Sequence, residues 1–199
     1  VLNRRSFCRG FTLLEMVITI AVMAILVGLA MPSMFEWVAN SRVRTVADTL
    51  QNGVRLAQNE ALRRNRQVVF SLTNSSSPQT ALTASANGKN WSINWVPAAL
   101  DAATAPTFIE AGVLTTAGAG VQIAGPSAIC FNANGRLVTN PSPGVTGANC
   151  SIASAPTYDI TKTGAERRLR VLVALGGQVR MCDPDKALSR DVPDGCPAP

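Results

Sequence analysis

Two hydrophobic rhythms divide the chain near residue 32. From Phe11 to Met31 the side chains are apolar almost without interruption, and Glu15 is the one ionisable group among them. At helical rise these residues make a rod of about 31 Å, enough to cross the hydrocarbon core of a bilayer. An unpaired carboxylate at the edge of that core costs about 2–3 kcal/mol, so Glu15 calls for a cationic partner. Pro32 lacks a backbone donor, and Gly28 lies one turn before it. Together they predict a break or kink there, a hinge between two helical segments. Beyond it Val43, Val46, Ala47, Leu50, Val54, Ala57, Ala61 and Leu62 recur at three- and four-residue steps, the single stripe of an amphipathic helix. Arg63, Arg64 and Arg66 close it, opposing the negative end of the helix dipole, with anion binding as the alternative use.

After Arg66 the period changes. Gln67–Leu72 has strand composition, Asn74–Ala86 reads as a loop, and Asn87-Gly88 turns the chain into Trp91–Val96, where Trp91, Ile93 and Trp95 alternate as on a half-buried strand. Phe108–Ile109, Val113–Thr115, Val121–Ala124, Ala128–Phe131 and Arg136–Val138 are further short strands. A Pro/Gly/Ser loop over Asn140–Pro156 precedes strands at Tyr158–Thr161 and Arg168–Leu175. In the last of these Leu169, Val171, Val173 and Leu175 share one face, and Gly176-Gly177 suits a two-residue hairpin into Gln178–Cys182. The tail from Asp183 is proline-rich and aperiodic, and reads as irregular chain tied down by Cys196. The predicted class is α+β: a long N-terminal helix, membrane-spanning in its first half, packed on a C-terminal antiparallel β-sheet or β-sandwich-like domain. The expected divisions are 1–10, 11–32, 33–66 and 67–199.

Charge changes this picture little. The 18 Lys and Arg outnumber 12 Asp and Glu, but Arg4, Arg5 and Arg9 precede the apolar run, and without them the balance is only +3. Those arginines set orientation: the positive-inside rule puts the N-terminus in the cytoplasm and the C-terminal domain in the periplasm. Disulfides persist there. Cys130, Cys150, Cys182 and Cys196 allow three pairings, of which Cys130–Cys150 and Cys182–Cys196 close the short loops. The chain has no histidine, no C-x-x-C spacing, no P-loop and no G-x-S-x-G elbow, so neither metal, cofactor nor catalysis is expected. Asp183 and Asp185 are expected to be solvated. An ordinary secretory signal would have a shorter apolar run and a small-residue cleavage site beyond it; Ala30-Met31-Pro32 is a poor version of that site.

Gly10-Phe11-Thr12-Leu13-Leu14-Glu15, behind its basic leader, resembles the class III signal of type IV prepilins and type II secretion pseudopilins. Val43–Val69, Gly88–Val96 and Phe131–Arg136 are similar to GspH/FimT-type pseudopilins. The resemblance implies cleavage between Gly10 and Phe11 by a prepilin peptidase, which also methylates Phe11. It further implies pairing of Glu15 with the terminal amine of a neighbouring subunit. The implied partners are that peptidase, the inner membrane before assembly, and other pilin or pseudopilin subunits. The implied function is a minor subunit at or near the tip of a type IV pilus or type II secretion pseudopilus that helps prime assembly. DNA binding during natural transformation is the alternative. The Gly-Arg-x-Arg motif of DNA-binding members reads Gly177-Gln178-Val179-Arg180 here, so only Arg180 carries over. Arg168 and Arg170, with Arg167 beside them, are the candidates to complete a weak, salt-sensitive patch.

Overall fold

The computed structural model describes residues 11–98, 101, 103, 105–114 and 118–197. One helix, α1 (Leu13–Arg64), is followed by ten strands: β1 (Val68–Thr73), β2 (Asn90–Trp95), β3 (Thr107–Gly112), β4 (Val121–Ala124), β5 (Ala128–Phe131), β6 (Leu137–Val138), β7 (Thr157–Lys162), β8 (Leu169–Val173), β9 (Val179–Ala187) and β10 (Gly195–Cys196). They form two five-stranded sheets, ordered β3-β2-β1-β5-β6 and β10-β9-β8-β7-β4. Every pairing is antiparallel except β10 on β9.

The helix stripe is what joins the sheets. Val43, Val46, Ala47, Leu50, Val54, Ala57 and Ala61 are buried against Val68, Phe70, Leu72 and Ile93 of the first sheet and Tyr158, Ile160, Val171 and Val173 of the second. Period-2 alternation produces this core: in β4 and β7, Val121, Ile123, Tyr158 and Ile160 are buried while Gln122 and Asp159 face away. Phe70 stacks on Trp91 at 5.7 Å between ring centroids and meets Tyr158 edge-on at 6.1 Å. Gly53 on α1 and Gly112 on β3 leave the space that Trp91 fills. A Cβ at Gly53 would stand 2.9 Å from the indole, and one at Gly112 would enter it. Burial also holds the Tyr158 phenol well above its ordinary pKa, so it stays neutral.

A second, smaller cluster covers the opposite face of the first sheet. Val69, Ala128 and Cys130 meet Ala84, Val145, Ala148 and Cys150 from the two long loops. Trp91–Trp95 is therefore not half-buried: Ser92 and Asn94 are inside as well, with the Ser92 hydroxyl donating to Asn94 Oδ1 at 2.9 Å. The structure joins Cys130 to Cys150, with Cα atoms 5.6 Å apart, and Cys182 to Cys196, 5.0 Å apart.

Several expectations are corrected. The helix runs through Pro32 without a break. Proline removes one donor from the ladder, and the turn around it is also served by the Ser33 hydroxyl, which donates to Ala30 O at 3.0 Å. Leu62 leaves the stripe and is 49% exposed, while Glu60 takes a buried place on it. Val113 and Leu114 belong to no strand, and Thr115 lies outside the described residues. The β8–β9 loop has three residues, not two. Ala174 N–H donates to Gln178 O, Gly177 N–H donates to Ala174 O, and Gly177 alone of the glycine pair takes positive φ, at 94°. Leu175 thus sits exposed in the turn and not on the inward face. The tail is ordered too: β9 continues through Pro184, and Asp183 N–H donates to Asp194 O while Leu188 N–H donates to Cys196 O.

Candidate assembly helix and arginine face

Along α1 the environment changes completely. Every residue from Phe11 to Val38 is exposed, and from Ala39 onward the stripe is buried. Met34, Phe35, Trp37 and Val38 extend the apolar exposure past Pro32. This helix is long and apolar enough to cross a membrane by length and composition. Thr12 opens it from extended backbone geometry, its hydroxyl accepting from Glu15 N–H at 3.2 Å. Glu15 therefore occupies the first turn, where a negative charge complements the helix dipole. Among the described residues no hydrogen bond or ion pair engages its carboxylate. Phe11 is 76% exposed beside it, and Gly10 lies outside the described residues. Gly28 has open space around it: among the described residues nothing lies within 4 Å of where a Cβ would stand.

At the other end of α1 the basic cluster has a specific acidic partner. Arg63 donates to both Glu60 oxygens at 3.0 and 2.8 Å, and Arg64 donates to Oε2 at 2.7 Å. The Arg63 hydrogen bond above all, then that of Arg64, holds the Glu60 carboxyl below the usual carboxylate range despite opposing desolvation. Arg66 donates to Asp101 at 2.6 Å. Periodicity alone placed an acid in the helix but could not show that it lies inward and gathers two arginines.

The outer face of the second sheet carries Arg168, Arg170 and Arg180 close together, and each is engaged. Arg170 forms a two-pronged pair with Asp159, directly across on β7, at 2.6 and 2.9 Å. Arg168 binds Asp185 through Nε at 2.9 Å to both oxygens. Arg180 donates to Pro193 O at 2.6 Å and Gly195 O at 3.3 Å. Asp183, expected to be solvated, is 4% exposed and pairs with Arg167. Asp185 is half-exposed but bound to Arg168, whose hydrogen bond holds its carboxyl below the ordinary range. Arginines and aspartates alternate across this face, leaving a nearly neutral lattice of charge in place of a basic patch.

Two family models match the chain: the prokaryotic N-terminal methylation motif over residues 5–31, and type II transport protein GspH over residues 46–177. No curated sequence matches. Among solved structures, the type IV minor pilin FimU of Pseudomonas aeruginosa is 18% identical with a TM-score of 0.49, the alignment covering 73% of this chain and 95% of that one. The minor pseudopilin EpsH of the Vibrio cholerae type 2 secretion system is 13% identical with a TM-score of 0.41, covering 73% and 99%.

Proposed function

This chain belongs to the GspH family, a pilin-like subunit with an N-terminal methylation motif, and from that premise we propose that it acts at or near the fibre tip and helps prime assembly. One observation carries the reading: a single helix is exposed and apolar from Phe11 to Val38 save for Glu15, Glu36 and a few hydroxyl side chains, and from Ala39 onward its apolar stripe is buried in its own domain. The exposed half is held by the inner membrane before assembly and by neighbouring helices afterwards, with the β-domain in the periplasm. Glu15 supplies the recognition within that apolar surface. In a low-dielectric bundle its carboxylate gains from a positive partner far more than it would in water, and the terminal amine of another processed subunit is such a partner. The amine arises when the peptidase cuts between Gly10 and Phe11. Gly28 and Pro32 supply the give needed as the subunit leaves the bilayer.

The alternative of DNA uptake draws no support from Arg168, Arg170 and Arg180, because the groups that would meet phosphate are already bound to Asp185, Asp159 and backbone carbonyls.

Intact-mass measurement of the protein recovered from membranes and from sheared fibres tests the reading. The fibre-borne form should begin at a methylated Phe11, and Gly10→Leu should leave the leader attached and the protein in the membrane fraction. An uncut chain in fibres at normal abundance would overturn it.

A further inference from the structure

The outer face of the first sheet carries a groove of about 650 Å³ that fibre assembly leaves unused. Its floor is set by register: Asn94 on β2 stands directly opposite Phe108 on β3, so amide and ring lie side by side on one face. Asn94 is 7% exposed, yet its side chain is only half satisfied. Its Oδ1 accepts from the Ser92 hydroxyl, while among the described residues nothing accepts from Nδ2. Phe108, beside it on an edge strand, is 40% exposed. The walls are fixed in advance. Thr146 O accepts from Ala84 N–H at 2.7 Å, joining the two loops that lie over the sheet. Gly144 takes positive φ, at 84°, and Pro106 Cγ lies 2.8 Å from where its Cβ would stand, so glycine lets these segments close on each other.

We propose that this groove binds a neutral oligosaccharide, a β-1,4-linked chain that carries N-acetyl groups. The proposal goes beyond the assembly reading and does not depend on it. Charge narrows the ligand first: the described lining has no charged side chain, which leaves a phosphate, a nucleic acid or an acidic peptide without a counter-ion. The polar groups present are amides and hydroxyls, with Asn94 at the floor and Gln79, Thr80 and Thr146 exposed around it. Such groups both donate and accept, as sugar hydroxyls do. An exposed phenyl ring among them suits the axial C–H face of a flat pyranose, which packs on a π surface and keeps its hydroxyls at the rim. The acetamide follows from the floor. Its carbonyl supplies the acceptor that the buried Asn94 Nδ2 lacks, and Leu82 and Val145 in the same lining receive its methyl.

Titration calorimetry and saturation-transfer NMR of the full chain in phosphatidylcholine nanodiscs test it, with empty discs as the blank. The probes are the β-1,4 tetramer of N-acetylglucosamine and cellotetraose, which has the same linkage and a hydroxyl in place of each acetamide. The N-acetylated tetramer should bind about tenfold more tightly than cellotetraose, with transfer strongest to its acetyl and ring C–H protons. Phe108→Ala, at an exposed position, should weaken binding by about tenfold. Asn94→Ala should bring the two probes to equal affinity, a ratio that a change in overall stability leaves unmoved; if that variant does not fold, the Phe108→Ala result decides. No binding of either probe, equal affinity of the parent for both, undiminished binding by Phe108→Ala, or a preference kept by folded Asn94→Ala overturns the proposal. Each of these leaves the assembly reading standing, because incorporation into fibres is measured separately.

Discussion

The two halves of α1 share a backbone and differ in almost everything else. Between Phe11 and Met31 the apolar side chains encircle the helix and stay exposed; between Ala39 and Ala61 they keep to one stripe and are buried by two sheets. The carboxylates mark the same divide. Glu60 lies inside with Arg63 and Arg64 folded onto it, whereas Glu15 has no partner among the described residues. A helix half that satisfies itself belongs to folding. On the proposed function, a half that leaves its apolar surface exposed and its one charge without a partner among the described residues is the part that lipid or another chain completes.

Paired truncations are the strongest way to break this contrast. Leu50→Ala removes a fully buried side chain and should cost about 2–5 kcal/mol in denaturant unfolding of the β-domain, while Leu29→Ala, at an exposed position, should leave that midpoint in place. Equal effects would mean that the halves are not independent. Next in size are the disulfides. Replacing Cys130 and Cys150 by serine should cost about 3 kcal/mol, because the bond ties the segment carrying Cys150 onto the outer face of the first sheet. Gly112→Ala should cost about 1–3 kcal/mol by driving a methyl into Trp91, and the near-ultraviolet dichroism of the indole should change with it.

Glu60 gives the smallest effect and the sharpest sign. Its folded-state pKa lies below the unfolded value, so its contribution is present above the ordinary carboxylate range and is lost as pH falls through the depressed folded value. Glu60→Gln should therefore flatten the acid limb of the stability profile and lower stability at neutral pH by about 1–2 kcal/mol. A profile unchanged from the parent would show that the pair with Arg63 and Arg64 is idle.

Much of this was legible in the residues. The apolar run, the stripe and most strands follow from periods of 3.6 and 2, which burial enforces locally. Three features were not, and each depends on contacts between distant segments. Pro184 reads as a strand breaker, yet β8 ends its pairing at Cys182, and the donors that hold β10 are those of Asp183 and Leu188 on either side of the proline. Leu62 fits the stripe by spacing, but the helix ends beside it and the domain, which reaches it at Gly135, covers only about half of it. Arg168, Arg170 and Arg180 read as a basic face because the aspartates of the first two and the backbone carbonyls that hold the third lie 11 to 17 residues away, where spacing says nothing of contact.

Glu15→Ala tests the division of the helix most directly. In the full chain, unfolding of the β-domain and loss of the leader should match the parent, while the amount recovered in sheared fibres should fall to background. Incorporation of the alanine variant at the parent's level would contradict the account.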